Sequence, residues 1–276
     1  MADAADSARA RELNLTLWEA LAAAHGSDEY YDSEALIAGA DSLLPEEAAL
    51  VGDVTGLDVL HVQCHIGFDS ISLARRGARV TGVDFSPAAL AKAAEVAQRC
   101  GVHVEWVHGD STALPGSLSG RFDLAYATIG VICWIDDLRA WMASVFATLR
   151  SGGRLVLLDG HPMGMMIDTV EPLVLDFPYA NDAPFVYTFD ASYAEGARPI
   201  EPGTAVNYAH SLAEVVNSAV QAGFRVDGLD ELRESALDHP PGRVAREADG
   251  LWRLRVAGQL WPMLFALRAT RPHPAG

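Results

Sequence analysis

One stretch constrains the fold more than any other. Val59-Leu60-His61-Val62-Gln63-Cys64-His65-Ile66-Gly67-Phe68-Asp69 is followed by Val80-Thr81-Gly82-Val83-Asp84-Phe85-Ser86. The first segment reads as an apolar strand running into a tight loop and then a helix. The second reads as an apolar strand that ends in a carboxylate. That order builds a nucleotide-type pocket at the carboxyl ends of parallel strands.

Flanking segments repeat the rhythm. Strands are expected at 58–62, 79–83, 103–108, 122–127 and 154–159. Helices are expected at 70–76, from Ser86-Pro87 to about Cys100 before Gly101, and from Asp136 or Asp137 to Leu149. Alternation of this kind means a parallel sheet covered on both faces. A helix at 211–222, a strand at 224–229 and a last strand at 260–269 close the chain. Before the first strand, Leu13, Leu17, Trp18 and Leu21 mark a helix that Gly26 stops. Ser33 is expected to cap a second helix, and Pro45 to open a third. Residues 1–54 therefore form a helical cap, and 55–276 the core. Residues 161–209, rich in proline and aromatics, break the rhythm and read as an inserted lid.

The net charge of −17 and pI near 4.8 argue against a nucleic-acid partner, which needs clustered Lys and Arg, and against an anionic membrane surface. No apolar run reaches the ~20 residues of a spanning helix. The acidic, polar start does not read as a signal peptide. Cys64, Cys100 and Cys133 fall in core-like segments and make no disulfide framework, which points to a reducing, cytoplasmic setting. Self-association into a homo-oligomer is left open.

Leu60-to-Gly67, Val83-Asp84, Gly109-Asp110, Phe122-Asp123 and Leu149-Arg150-Ser151-Gly152-Gly153-Arg154 together resemble the class I S-adenosylmethionine-dependent methyltransferases. The usual first motif has an acidic residue and three glycines. Here His61 stands at the acidic position, Gln63 and His65 stand where two glycines are common, and Gly67 is kept. The chain looks more like a bacterial subgroup with a Gln-Cys-His-x-Gly-x-Asp first motif. Thr128-Ile129-Gly130-Val131-Ile132-Cys133-Trp134 and His161-Pro162 support that, over roughly residues 55–270 and more weakly at Tyr30-Tyr31-Asp32. The resemblance implies a doubly wound seven-stranded α/β sheet, mostly parallel, with the last strand antiparallel. It also implies S-adenosyl-L-methionine as cofactor.

In that frame Gly67 lets backbone approach the cofactor. The helix beginning near Asp69 offers free N–H groups to its carboxylate. Gln63 hydrogen-bonds its amino-acid end, and Cys64 and His65 belong to the same cofactor-binding loop. Asp84 grips the ribose hydroxyls, Phe85 lies on the adenine and Ser86 follows. Asp110 takes the adenine amino group with Ser111 beside it, and Thr128 closes the set. NAD would need the G-x-G-x-x-G spacing that residues 65–70 lack. His61, Cys64 and His65 do not converge as a metal site, so no metal is expected.

Methyl transfer needs a base only when the acceptor must lose a proton. His25, Tyr30 and Tyr208 are general candidates; His161, Asp168, Glu171, Tyr31 and His210 are the catalytic residues expected. Trp134, Phe177, Tyr179, Phe185, Tyr187 and Tyr193 suggest an apolar, partly aromatic acceptor pocket. The leading expectation is methylation of a small organic acceptor, in the direction of secondary metabolism. The alternatives are a cofactor-binding protein without transferase activity and a methyltransferase acting on a protein or other macromolecule.

Overall fold

A computed structural model of the chain describes residues 4–274 except 29, 181–182, 190, 195, 237 and 239–241. Its elements in order are α1 (Ala4–Ala24), α2 (Ser33–Ile37), α3 (Pro45–Val51), β1 (Asp58–Val62), α4 (Phe68–Arg75), β2 (Arg79–Asp84), α5 (Pro87–Cys100), β3 (Val104–His108), β4 (Phe122–Thr128), α6 (Leu138–Thr148) and β5 (Leu149–Gly160). Then come α7 (Pro162–Met165), β6 (Ile167–Thr169), β7 (Val174–Leu175), β8 (Phe185–Phe189), β9 (Gly203–Asn207), α8 (Leu212–Ala222), β10 (Arg225–Leu232), β11 (Ala245–Arg246), β12 (Trp252–Val256), β13 (Gln259–Trp261) and β14 (Leu264–Thr270).

Seven strands form one sheet in the order β10-β14-β5-β4-β1-β2-β3. Pairings β5–β4–β1–β2–β3 are parallel, while β14 runs antiparallel to both β5 and β10. This is the doubly wound methyltransferase fold expected from the motif series. Alternation along the strands sorts the core. Leu60 and Val62 pack under α6 and α8 with Trp141, Met142, Val145 and Val215, whereas Val59 faces α3 and α4 with Val51 and Leu73.

Local chemistry explains the element ends. Ser86 Oγ accepts the Ala89 N–H at 3.0 Å, Pro87 occupies the first turn of α5, and Gly101 at φ 68° ends it. Asp137 caps α6 by accepting the Ala140 N–H at 3.0 Å. The cap of α2 is Asp32, not Ser33: Asp32 Oδ1 takes the Ala35 N–H at 2.9 Å. The last expected strand is divided. Pro262, which has no N–H to give, separates β13 from β14, and β13 joins β11 and β12 in a small three-stranded sheet. The 161–209 segment holds α7 and two hairpins, β6–β7 and β8–β9. Among the described residues no helix is long and apolar enough to cross a membrane.

Candidate functional site

A cavity of about 500 Å³ opens where the carboxyl ends of β1, β2 and β4 meet. Its walls come from the loops after those strands, the first turn of α4, residues of α1 to α3, and Tyr193 of the lid. In a parallel sheet this is where diverging loops leave a crevice.

The loop after β1 shows how the chain dispenses with two glycines. Gln63 (φ 58°) and His65 (φ 48°) sit in the left-handed region, at a cost of roughly 1–2 kcal/mol each for residues bearing a Cβ. Their side chains compensate by cross-linking the site. The Gln63 carboxamide oxygen accepts from Trp141 Nε1 (2.9 Å) and Ser111 Oγ (3.0 Å), and its nitrogen donates to the Val131 carbonyl (3.2 Å). The His65 N–H donates to Asp84 Oδ2 (2.8 Å), and its ring nitrogen meets His25 at 2.8 Å. Burial holds both imidazoles neutral, with His25 lowered to about 4.

Gly67 lines the cavity and also answers a packing constraint. A Cβ there would lie 2.4 Å from Trp106 and 2.8 Å from Ala93, at φ +77°. Glycine is required because β3 and α5 pack against the start of α4. Asp69 follows in the first turn of α4, and Ser42 Oγ donates to it at 2.6 Å. Its carboxyl is buried, which raises it to about 6. The helix end expected to receive an anionic carboxylate thus already carries a carboxyl group.

Asp84 ends β2 inside the cavity. Oδ1 accepts the Ser86 N–H (2.9 Å) and Oδ2 the His65 N–H (2.8 Å), leaving a second lone pair on each oxygen. Burial raises this group to about 6. Phe85, Asp110, Ser111, Cys64 and Thr128 line the same space. Asp110 accepts Thr112 N–H and Oγ through Oδ1 (2.8 and 2.6 Å) and Arg11 through Oδ2 (2.9 Å). Ser86 is corrected: it is buried away from the cavity, where it caps α5 and donates to Glu19 (2.5 Å). Cys64 is buried, which pushes its thiol up and keeps it unreactive.

Of the expected catalytic residues, the structure brings only Tyr31 to the cavity. Its hydroxyl is 2.7 Å from that of Tyr193, and its ring stacks on His25. His161 is corrected. It is buried, Nδ1 accepts the Met163 N–H (3.1 Å) to cap α7, and Nε2 bonds Glu231 (2.8 Å). Asp168 and Glu171 are exposed on the β6–β7 hairpin. His210 is buried between the Ile135 carbonyl (2.8 Å) and Glu214 (3.1 Å). These four stand outside the cavity walls, as does buried Tyr208. Tyr30 lines it, and His25 lies behind Tyr31. Among the aromatics, Trp134 and Tyr193 face the cavity. Phe177, Phe185 and Tyr187 pack on one another within the lid, and Tyr179 is exposed.

Arg11, Trp18, Ser42, Glu47 and Asp136, not expected from the sequence, also line the cavity. Trp18 was visible as a helical core position; the edge-on rings of Trp134 and His65 at 5.2 and 5.1 Å make it a cavity wall. Asp32, Asp41, Glu47, Asp69, Asp84, Asp110 and Asp136 all border the cavity. Its one Lys or Arg side chain among the described residues, Arg11, is paired to Asp110. Among the described residues no group of three His, Cys, Asp or Glu side chains is arranged to hold a metal.

Residues 59–153 match the family model described as a methyltransferase domain. The chain is 36% identical over 86 residues to a demethylmenaquinone methyltransferase of Thermus thermophilus, covering 31% of this chain and 38% of that protein. An uncharacterized protein of Mycobacterium tuberculosis is 32% identical over 117 residues, 41% of this chain and 42% of that one. Among solved structures, a putative S-adenosylmethionine dependent methyltransferase from Listeria monocytogenes superposes with a TM-score of 0.59 at 15% identity, over 82% of this chain and 94% of that chain. Residues 59–153 are therefore a methyltransferase domain on the Rossmann-like methyltransferase fold. The matched segments span about two fifths of the length of these curated relatives.

Proposed function

We propose that the cavity binds S-adenosylmethionine and that the chain transfers its methyl group to a small organic acceptor. The observation that carries this reading is Asp84, a buried carboxylate at the end of β2 in a cavity whose charged wall residues are, Arg11 apart, carboxylates. Its free lone pairs suit two ribose hydroxyls. The excess of carboxyl groups over Arg11 favours a cationic nucleoside and opposes the pyrophosphate of a dinucleotide. Phe85 and Asp110 stand where an adenine base would follow.

The cofactor supplies an already activated methyl group. The chain's own work is then to bind, orient and exclude water. Cap helices and Tyr193 enclose the cavity, which suits a small acceptor better than a macromolecule. The demethylmenaquinone methyltransferase match supports an acceptor of that size. The three unpaired cysteines support a cytoplasmic setting.

The test is conversion of S-adenosylmethionine to S-adenosylhomocysteine with a panel of small acceptors. Acceptor-dependent product supports the reading, and none across a broad panel contradicts transfer. His161→Ala should leave that turnover within about twofold, since His161 does not touch the cavity. It should cost roughly 1–2 kcal/mol of stability through the lost cap and the orphaned Met163 N–H. Turnover and urea melts of the same variant check both halves. A tenfold fall in turnover with unchanged stability would return His161 to the mechanism.

A further inference from the structure

Five rings on the cavity wall form one patch. Trp18 meets Trp134 at 5.2 Å and His65 at 5.1 Å, both edge-on. Tyr193 of the lid meets Trp18 at 6.5 Å and Tyr31 at 6.3 Å, and Tyr31 meets His65 at 5.3 Å. All five border the cavity. Of these rings only the imidazole is a base. The backbone N–H of His65 is engaged by Asp84 (2.8 Å), and its Nε2 by His25 Nδ1 (2.8 Å). Its Nδ1 has no hydrogen-bond partner among the described residues, and the ring is only half-buried, so this nitrogen is open to the cavity. Behind it His25 is wholly buried, with Nε2 2.9 Å from Ser192 Oγ. Ser192 is half-buried on the lid, where it also accepts the Ala194 N–H at 3.0 Å. Two imidazoles and a hydroxyl therefore run in series from the cavity wall to the lid. Burial and the nearby Lys92 charge outweigh Asp28 and keep both rings neutral, so each holds a lone pair.

We propose that the aromatic patch seats a planar, uncharged acceptor with a hydroxyl group on its ring, and that His65 Nδ1 takes the hydroxyl proton, which leaves through His25 and Ser192. This rests on the methyl-transfer reading above and names its acceptor class. Edge-on aromatic walls select a flat ring. The carboxyl groups elsewhere around the cavity oppose an anionic acceptor. A series of proton carriers serves only an acceptor that must lose a proton, and a ring hydroxyl is a poor nucleophile until it does. In the step, the O–H bond breaks toward His65 Nδ1 while the oxygen bonds the methyl carbon. The carbon–sulfur bond breaks with its electron pair left on sulfur. His65 passes its Nε2 proton to His25 Nδ1, His25 passes its own to Ser192, and the serine hydroxyl proton goes to solvent. One proton is released for each methyl group moved. A weakly basic imidazole suffices, because the oxygen turns strongly acidic as it gains the methyl group. His65 is then a catalytic residue and His25 a positioning one.

The experiment titrates the whole chain, saturated with S-adenosylhomocysteine, with phenol and with toluene, which matches its ring but has no hydroxyl. The wild type should bind phenol about tenfold more tightly, as one hydrogen bond allows. His65→Phe keeps a ring there without a nitrogen. It should bind the two probes alike, with toluene unchanged within about twofold, and its methylation of phenol should fall about a hundredfold. His65→Gly fits the left-handed backbone at φ 48°. It should lose as much turnover, and added imidazole should restore about tenfold of it. His25→Gln still accepts from His65 Nε2 but carries no proton onward, so kcat should fall about tenfold with KM within about twofold. Phenol and toluene bound alike by the wild type, or His65→Gly unaided by imidazole, overturns the role of His65. Absence of phenol methylation, with or without turnover of benzylamine, overturns the acceptor class. Failure of the wild type to bind S-adenosylhomocysteine overturns the cofactor reading instead.

Discussion

Asp84→Asn is expected to weaken S-adenosylmethionine binding by about a hundredfold. Hydrogen bonds to a charged acceptor are worth roughly 1.5–3 kcal/mol each, and Asp84 has two oxygens available to a ribose. The amide keeps one acceptor and turns the other into a donor. That donor must face either the His65 N–H or the Ser86 N–H, since one N–H now meets each oxygen. Loss of about 3 kcal/mol corresponds to roughly a hundredfold in dissociation constant. Calorimetry on folded variant and wild type checks it, with circular dichroism to verify the fold. Affinity within threefold of wild type would remove Asp84 from the binding site.

Gly67→Ala should cost about 3 kcal/mol of folding stability. A left-handed residue bearing a Cβ costs roughly 1–2 kcal/mol, and overpacking adds about 1–3. The added methyl would lie 2.4 Å from the ring of Trp106. Because the colliding atoms belong to the six-membered part of the indole, Trp106→Phe in the same chain should relieve part of the clash. Urea melts of the two single variants and the double variant form a thermodynamic cycle. Coupling of about 1 kcal/mol or more in the relieving direction is expected. Strict additivity would show that the ring is not what the glycine avoids.

These two residues also show what was legible in the chain and what was not. The sheet was readable because β1, β2, β4 and β5 are rich in apolar residues and their connections carry strong caps such as Ser86-Pro87 and Asp137. Asp84 was readable because a carboxylate ending the second strand has one obvious place in such a sheet. Gly67 was singled out as a cavity residue, but its second constraint was not legible: nothing local announces that Trp106, from β3, fills the space beside it. His161 follows β5 directly, yet its ring turns toward Glu231 of β10 because β14 and β10 continue the sheet on that side. Asp168 and Glu171 sit on the exposed lid hairpin, and His210 is buried against Ile135 before α8, placements that depend on distant pairings. Glu47 carried no local signal; it is buried and pairs with Thr128, far along the chain. Long-range contacts of this kind leave no periodic signature.

Function here follows from which small molecule the cavity accepts. The most direct measurement is calorimetric titration of the wild-type chain with S-adenosylmethionine and, separately, with NAD. Saturable binding of S-adenosylmethionine, with no heat beyond dilution from NAD, is the expected result. Binding of NAD, or silence toward S-adenosylmethionine, would contradict it.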